Sequence, residues 1–287
     1  MIKEKAYAKI NIGLDIVRKR SDNYHDIDTI MQTIELHDTV TVRKSERGID
    51  VSCNHPGIPS GEGNTAYVAA SVYMEATGID GNSRGVSIEI EKRIPAKAGL
   101  GGGSSDAAAT LRAMDKLFCT NFGTNKLLEL ALKIGSDVPF LVEGGTARAF
   151  GRGEKLEKLP EFNNMNIVLV IPDTSVSTPD AYAGFGQLEN PLHPDMDAIT
   201  DAISKKDTTL LGNIIGNTFE RIVFPIKPEI EKALHDIIST RPDAFSMTGS
   251  GSVVYGVYSS YQSAVKANEL LSLTHETCLT RTVGGVL

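Results

Sequence analysis

Between Ile94 and Leu111 the chain reads IPAKAGLGGGSSDAAATL, with Gly99, Gly101, Gly102 and Gly103 set directly before two serines, an aspartate and a run of alanines. Glycine loses more conformational freedom on folding than any other residue, so a cluster in front of a helix is costly unless the backbone there must turn sharply or be approached closely. A strand ahead of the loop and a helix behind it bring unpaired N–H groups and the positive end of a helix dipole to one point, which is an anion site. Phosphate is the natural anion. Two common nucleotide loops are excluded, because a dinucleotide GxGxxG needs glycine where Ser104 or Asp106 stands, and a Walker loop needs lysine where Ser104 and Ser105 follow Gly103. What remains is a backbone-lined concavity whose serine hydroxyls can meet phosphate oxygens or Mg²⁺. A tight turn with serines capping the helix is the plainer alternative.

The 287 residues suit two domains, and 41% hydrophobic with 23% charged residues is ordinary for a globular protein. A net charge of −7 argues against a nucleic-acid or membrane surface, so an anion has to be met by a local basic pocket. Cys53, Cys119 and Cys278 are odd in number and far apart, which fits neither a disulfide framework nor a CxxC metal site. With no apolar leader and no membrane-length apolar window, a cytoplasmic protein is expected.

Alternation of apolar and polar residues predicts strands in AYAKINIGLDIV and DIDTIMQTIELHDTVTVR, a short one around Ile49 and Val51, and another at Val86, Ile88 and Ile90. Asn64 or Thr65 opens a helix that Gly78 closes. Further helices are expected from about Ser104 to Leu117 and from Thr124 to Ile134, with strands across VPFLVEGGTARAFGRGEKLEKL. A boundary near Pro160 gives domains 1–160 and 161–287. The second begins with the strand NIVLVIP and ends with a glycine turn and strand FSMTGSGSVVYGVY, a helix YQSAVKANELL and a strand ETCLTRTV. This implies an α+β fold. The final strand, near Leu279 to Val283, is a candidate to return to the first domain.

PAKAGLGGGSSDAA resembles the phosphate-binding motif of the GHMP kinases, the family of galactokinase, homoserine kinase and mevalonate kinase. AYAKINIGLDI resembles their first motif and MTGSGSVVYG their third, in family order and over nearly the whole chain. SDNYHDIDTI and IGSDVPFLVEGG are similar to the DGYH and GADVPF segments of one branch, which in the non-mevalonate isoprenoid route phosphorylates the 2-hydroxyl of a cytidine diphosphate derivative. Asn23 departs from the usual glycine, Ser136 from alanine and Ser252 from proline. The resemblance implies a two-domain GHMP kinase fold, with a first domain like ribosomal protein S5 domain 2 and a ferredoxin-like second domain, and an active-site cleft between them.

It also implies roles. Lys9 and Asp137 are the catalytic pair, with Asp137 as base. Pro95, Ala96, Lys97, Ala98, Gly99, Leu100, Gly101, Gly102, Gly103, Ser104 and Ser105 hold ATP, with Ser104 or Ser105 on Mg²⁺. Asn11, Tyr24, His25, Thr178 and Tyr182 hold a small-molecule substrate. The residues themselves support the pair, since a mid-strand lysine beside Ala8 and Ile10, and a carboxylate between Gly135 and VPFLV, each need a compensating charge. Two alternatives are another GHMP small-molecule kinase, of homoserine or mevalonate type, and a non-catalytic ligand sensor on the same scaffold. No nucleic-acid or membrane partner is expected, and a monomer or weak homodimer is the default.

Overall fold

The structure is a computed structural model that describes residues 1–188 and 191–287. Its longest alternating stretch folds as one hairpin, in which β1 (Ile2–Lys19) and β2 (His25–Ser45) pair antiparallel from Ile2 opposite Val42 to Lys19 opposite His25. Asn23 turns the hairpin with φ 65, a left-handed conformation that asparagine tolerates. After β3 (Ile49–Cys53) comes α1 (Thr65–Thr77), where the Asn64 side chain accepts from the Ala66 N–H and Gly78 closes the last turn at φ 67. Then follow β4 (Gly85–Glu91), the glycine loop, α2 (Gly102–Phe118), α3 (Thr124–Leu132), α4 (Val138–Glu143), β5 (Thr146–Gly151) and β6 (Lys155–Lys158). The six strands form one sheet in the order β3-β4-β2-β5-β6. β1 lies along the other edge of β2, which is long enough to hold both β4 and β5 on its far side. Alanines of α1 and α2, such as Ala69, Ala70, Ala107 and Ala108, let both helices settle closely onto Val40, Val42, Val86 and Ile88.

One expectation fails here. Val138–Glu143 is a helix, not a strand. A short apolar run does not distinguish the two by pattern. The decision comes from outside the segment, because the buried Arg112 guanidinium on α2 donates to the Leu141 carbonyl at 2.8 Å and to the Val142 carbonyl at the helix end, and Gly144 breaks the chain at φ 69. A second difference is small but consequential. α2 starts at Gly102 rather than Ser104, so Gly102 and Gly103 lie inside its first turn and their N–H groups are among those a helix leaves unpaired.

The second half runs β7 (Asn166–Ile171), α5 (Thr178–Phe185), α6 (Met196–Lys205), α7 (Thr208–Ile214), α8 (Glu220–Val223), α9 (Pro228–Ser239), β8 (Ala244–Met247), β9 (Val254–Tyr258), α10 (Tyr261–Leu271) and β10 (Glu276–Arg281). The sheet order β10-β7-β9-β8, antiparallel throughout, is the split β-α-β-β-α-β arrangement with extra helices after its first strand. β10 therefore stays in this second sheet. Its end nevertheless touches β2, where Thr280 Oγ1 accepts from the Leu36 N–H at 3.1 Å, and the tail beyond it crosses back, with Thr282 bridging Ile34 and Gly285 bridging Gly144. Ile10, Ile12, Ile30 and Ile34 of the hairpin share a core with Ile167, Leu169, Tyr255 and Val257, so apolar packing joins the two sheets.

The glycine loop is held where the sheets meet. The Lys9 N–H donates to the Leu100 carbonyl at 3.1 Å and the Val253 N–H to the Ala98 carbonyl at 3.3 Å. Gly99, at φ +78, approaches so closely that a Cβ there would stand 2.2 Å from the Thr248 carbonyl oxygen. Gly99→Ala is therefore expected to cost more than the ~1–3 kcal/mol of a left-handed non-glycine residue alone. Gly48, at φ +71 with nothing within 4 Å of the corresponding position, gives the control. Urea denaturation of Gly99→Ala and Gly48→Ala checks this, and equal losses would show that the close approach does not matter.

Candidate active site

A cleft of about 1150 Å³ is lined from both halves of the chain: by β1 and β2, by residues 95–104 of the glycine loop, by Ser136 and Asp137 ahead of α4, by α5, and by residues 249–251. It brings together Lys9, Asn11, Tyr24, His25, Asp137, Thr178, Tyr182 and every residue from Pro95 to Ser104. Ser105 is the exception. It is buried, it does not line the cleft, and its hydroxyl donates to the Tyr7 carbonyl on β1, so it fastens α2 to the sheet instead of facing a phosphate or metal. Besides Lys92, which pairs with two buried carboxylates, four basic side chains border the cleft, Lys9, Lys19, Lys97 and Arg152, against the single carboxylate of Asp137 in its lining. A chain of net charge −7 thus presents locally the cationic pocket an anion requires.

Alternation along β1 sends Ala8, Ile10 and Ile12 into the shared core and turns Lys9 and Asn11 toward the cleft. Lys9 is 4% exposed. Burial lowers the pKa of its ammonium, and the negative charge of Asp137 acts the other way. The two do not touch in a direct ion pair. The Lys9 Nζ donates instead to Asn11 Oδ1 at 2.6 Å, leaving Asp137 half-buried at the cleft wall. Asn11 is equally committed, because Oδ1 also accepts from the Gly249 N–H at 2.9 Å and Nδ2 donates to Thr29 Oγ1 at 2.8 Å. Its amide serves the scaffold and positions Lys9, rather than standing free for a substrate.

At the far end the rings are grouped. His25 stacks on Tyr182 with centroids 4.9 Å apart and 20° between planes, and Phe185 meets His25 edge-on at 5.7 Å. Tyr24 is exposed and carries the Arg152 guanidinium over its face at 4.9 Å. Burial, reinforced by the neighbouring Lys19 charge, lowers the His25 pKa, which favours a neutral imidazole with one donor and one acceptor. The Tyr182 phenol is pushed up to about 12 by burial and by the Asp137 charge. Thr178, at the start of α5, shares a 3.0 Å hydrogen bond with Ser250 of the third glycine segment.

Sequence reasoning missed a charged cluster under the loop. Lys92, just past β4, donates to Asp38 Oδ2 on β2 at 2.5 Å and to Asp106 Oδ2 on α2 at 2.8 Å, with all three side chains buried. Asp106 Oδ1 is also buried, without a hydrogen-bond partner among the described residues. Burial pushes the Asp106 carboxyl up to about 7, with the Lys92 charge opposing and the Asp38 charge adding to the shift. Arg152, Lys19, Thr65 and residues 57–59 also belong to the unread part of the wall. Lys92 carried a signal, since it continues the buried even positions Val86, Ile88 and Ile90.

A two-sheet α+β scaffold with a phosphate-type glycine loop facing a buried lysine and a carboxylate defines a small-molecule kinase of the GHMP class. The family profile described as GHMP kinases N terminal domain matches residues 64–145, and that described as GHMP kinases C terminal matches residues 199–271. The chain is 39% identical over 280 residues to the 4-diphosphocytidyl-2-C-methyl-D-erythritol kinase of Acetivibrio thermocellus, covering 97% of this chain and 98% of that one. It is 42% identical to the enzyme of the same name from Exiguobacterium sibiricum, over 88% and 87% of the two chains. A crystal structure of 4-(cytidine 5'-diphospho)-2C-methyl-D-erythritol kinase superposes with a TM-score of 0.83 at 32% identity, covering 99% of this chain and all of that one. A homoserine kinase from Cytophaga hutchinsonii, 18% identical with a TM-score of 0.73, shares the fold. The chain belongs, within the GHMP kinases, to the 4-diphosphocytidyl-2-C-methyl-D-erythritol kinase family.

Two outcomes follow from the buried charges. Because burial outweighs the help Asp137 gives Lys9, Lys9→Met is expected to leave the melting temperature unchanged or higher while lowering turnover by about 10²-fold or more. A destabilised variant with near-normal turnover would contradict this. For Asp106, the folded protein keeps a proton from about pH 4 to about pH 7 that the unfolded chain has released, so its contribution makes stability fall as pH rises through that window. Asp106→Asn should flatten that slope in urea midpoints, and parallel curves for the two proteins would count against the raised carboxyl.

Proposed function

We propose that the cleft transfers the γ-phosphoryl group of ATP to the 2-hydroxyl of 4-diphosphocytidyl-2-C-methyl-D-erythritol, a step toward isoprenoid precursors. The observation that carries this reading is the buried Lys9, its Nζ fixed by Asn11 and within the electrostatic reach of Asp137, beside the open first turn of α2. Phosphoryl transfer passes through a loose transition state, so the chain's contribution is positioning and charge stabilisation. N–H groups of Gly102 and Gly103 and the dipole of the 17-residue α2 receive the phosphates. Gly101, at φ +74, lets Lys9 pack closely against the loop, since a Cβ there would lie 3.1 Å from Lys9 Cγ. Asp137 accepts the proton of the acceptor hydroxyl as its oxygen bonds to phosphorus, and Lys9 neutralises charge on the transferring group.

The donor set fits Mg²⁺ only as a partner of the nucleotide. Among the described residues no group of three His, Cys, Asp or Glu could hold a metal, which suits an ion bound chiefly by phosphate oxygens. Ser104 lines the cleft and would supply a protein oxygen to the ion. When bound, such an ion screens the negative charge of the phosphates.

At the substrate end a cytosine would be read by His25 and by the rings of Tyr24 and Tyr182, with Thr178 beside it. A neutral histidine supplies the donor and acceptor a base edge needs, and a stacked ring contributes ~1–3 kcal/mol per base. The same proposal includes a domain division near residue 160, a cytoplasmic setting and a monomer or weak homodimer. Three free cysteines suit a reducing compartment, and no helix among the described residues is long and apolar enough to cross a membrane.

A coupled ADP-release assay with a panel of acceptor alcohols tests the reaction. Turnover is expected with the cytidine derivative, and preference for homoserine or mevalonate would overturn the assignment. Asp137→Asn should lower ADP release by at least about 10²-fold while leaving nucleotide affinity nearly intact. Lost ATP affinity with surviving turnover would contradict the role given to Asp137.

A further inference from the structure

We propose that Asp38 is a positioning residue for the nucleotide phosphates, acting through Lys92 and the backbone that leads into the glycine loop. The inference rests on the ATP reaction proposed above. Asp38 is fully buried on β2, and its two oxygens do different work. Oδ1 accepts from the Arg93 N–H at 2.5 Å and the Ile94 N–H at 2.8 Å, two of the three residues between the end of the β4 ladder and Pro95. Oδ2 accepts from Lys92 Nζ, whose other bond goes to Asp106 in the second turn of α2. One carboxylate thus fixes the chain entering the loop directly and, through one ammonium, the helix leaving it.

The placement of Lys92 ties this clamp to the site. Its side chain is 4% exposed yet borders the cleft, and Nζ lies 3.2 Å from where a Cβ on Gly102 would stand, against the turn whose N–H groups face the phosphates. An ammonium shared by two buried carboxylates carries no surplus positive charge for an incoming anion, so its contribution is rigidity. Charge-assisted hydrogen bonds inside a protein are short and strong, and a geometry fixed in advance costs nothing to order when the ligand arrives. The acceptor end is built by the β1–β2 turn and α5, which the clamp does not touch.

The test uses Asp38→Asn, Lys92→Met and the double variant, each checked by thermal denaturation for folding. ATP affinity is measured by calorimetry, and the KM of the acceptor by ADP release. Each single change should weaken ATP binding by at least about tenfold. The acceptor KM should stay within about twofold, and the double variant should be no weaker than the worse single, because both break one clamp. Unchanged ATP affinity in folded variants would overturn the proposal. So would losses that add in the double variant and raise the acceptor KM in parallel, the mark of general loosening. If Asp38→Asn does not fold, Lys92→Met decides by the same criteria. If the wild-type protein binds ATP but does not turn over the acceptor, the proposed reaction fails while the calorimetric comparison still decides the role of Asp38.

Discussion

The amide of Asn11 is the joint on which the site depends. Through it, β1 meets a glycine turn more than two hundred residues further on: its N–H donates to Thr248 Oγ1 at 3.1 Å, its Oδ1 receives the Gly249 N–H, and its carbonyl receives the Tyr255 hydroxyl at 2.8 Å. Every one of these groups is buried, so each bond left unmade would cost a desolvation penalty that no water repairs. The glycine loop is caught inside the same joint, with Gly99 pressed on Thr248. The two sheets are therefore registered against each other at the point where phosphate chemistry requires it. Asn217 reinforces the turn from its other side, donating to the Met247 and Gly249 carbonyls at 2.8 Å each.

The joint also explains how a lysine survives mid-strand. Lys9 sits where water is excluded, and an isolated ammonium there would tend to lose its proton. The field of Asp137 opposes that loss, and Nζ is held by Asn11 Oδ1 without being closed into an ion pair. An ammonium neutralised by direct contact would have less to offer a transferring phosphoryl group. Lys92 shows the opposite arrangement, fully enclosed by two carboxylates whose pull together outweighs burial and raises its pKa. Of two buried lysines a few ångströms from one loop, one is kept available and the other is used as a strut.

Much of this was legible because local patterns coincided with the final environment. The β1 and β2 alternation, the Asn64 cap and the stop at Gly78 are each decided by residues adjacent in sequence, and they appear as read. α4 was misread because its six residues carry no period, and its conformation is chosen by Arg112, far off along the chain. Ser105 was assigned to the phosphate site together with Ser104 for its hydroxyl and its place in the motif, but successive residues of a helix point about 100° apart, and only one of the two faces the cleft. Asp38 and Lys92 each fall in phase with apolar neighbours, Val40 and Val42 for the one, Ile88 and Ile90 for the other. A charge in phase with a buried face demands a partner. Alternation signals that demand, yet it does not say which distant residue answers it.

Specificity has to come from elsewhere than the scaffold, because the fold is shared with a homoserine kinase and a mevalonate kinase, and the roles we propose for the loop, Lys9 and Asp137 would serve any alcohol. On our reading it comes from the hairpin turn and α5. Asn23 takes the left-handed conformation that usually asks for glycine, and so holds the turn that presents Tyr24 and His25 side by side. Each of these rings is already engaged, His25 by Tyr182 and Tyr24 by Arg152. A pocket whose aromatic walls are stacked before the ligand arrives loses little side-chain entropy on binding. An acceptor lacking a base would leave the His25 donor and acceptor unpaired in a half-closed site, and that penalty discriminates more sharply than a missing apolar contact. The downward shift that burial and Lys19 give the His25 pKa favours the ring form needed here, since an imidazolium would present two donors and no acceptor to the base edge.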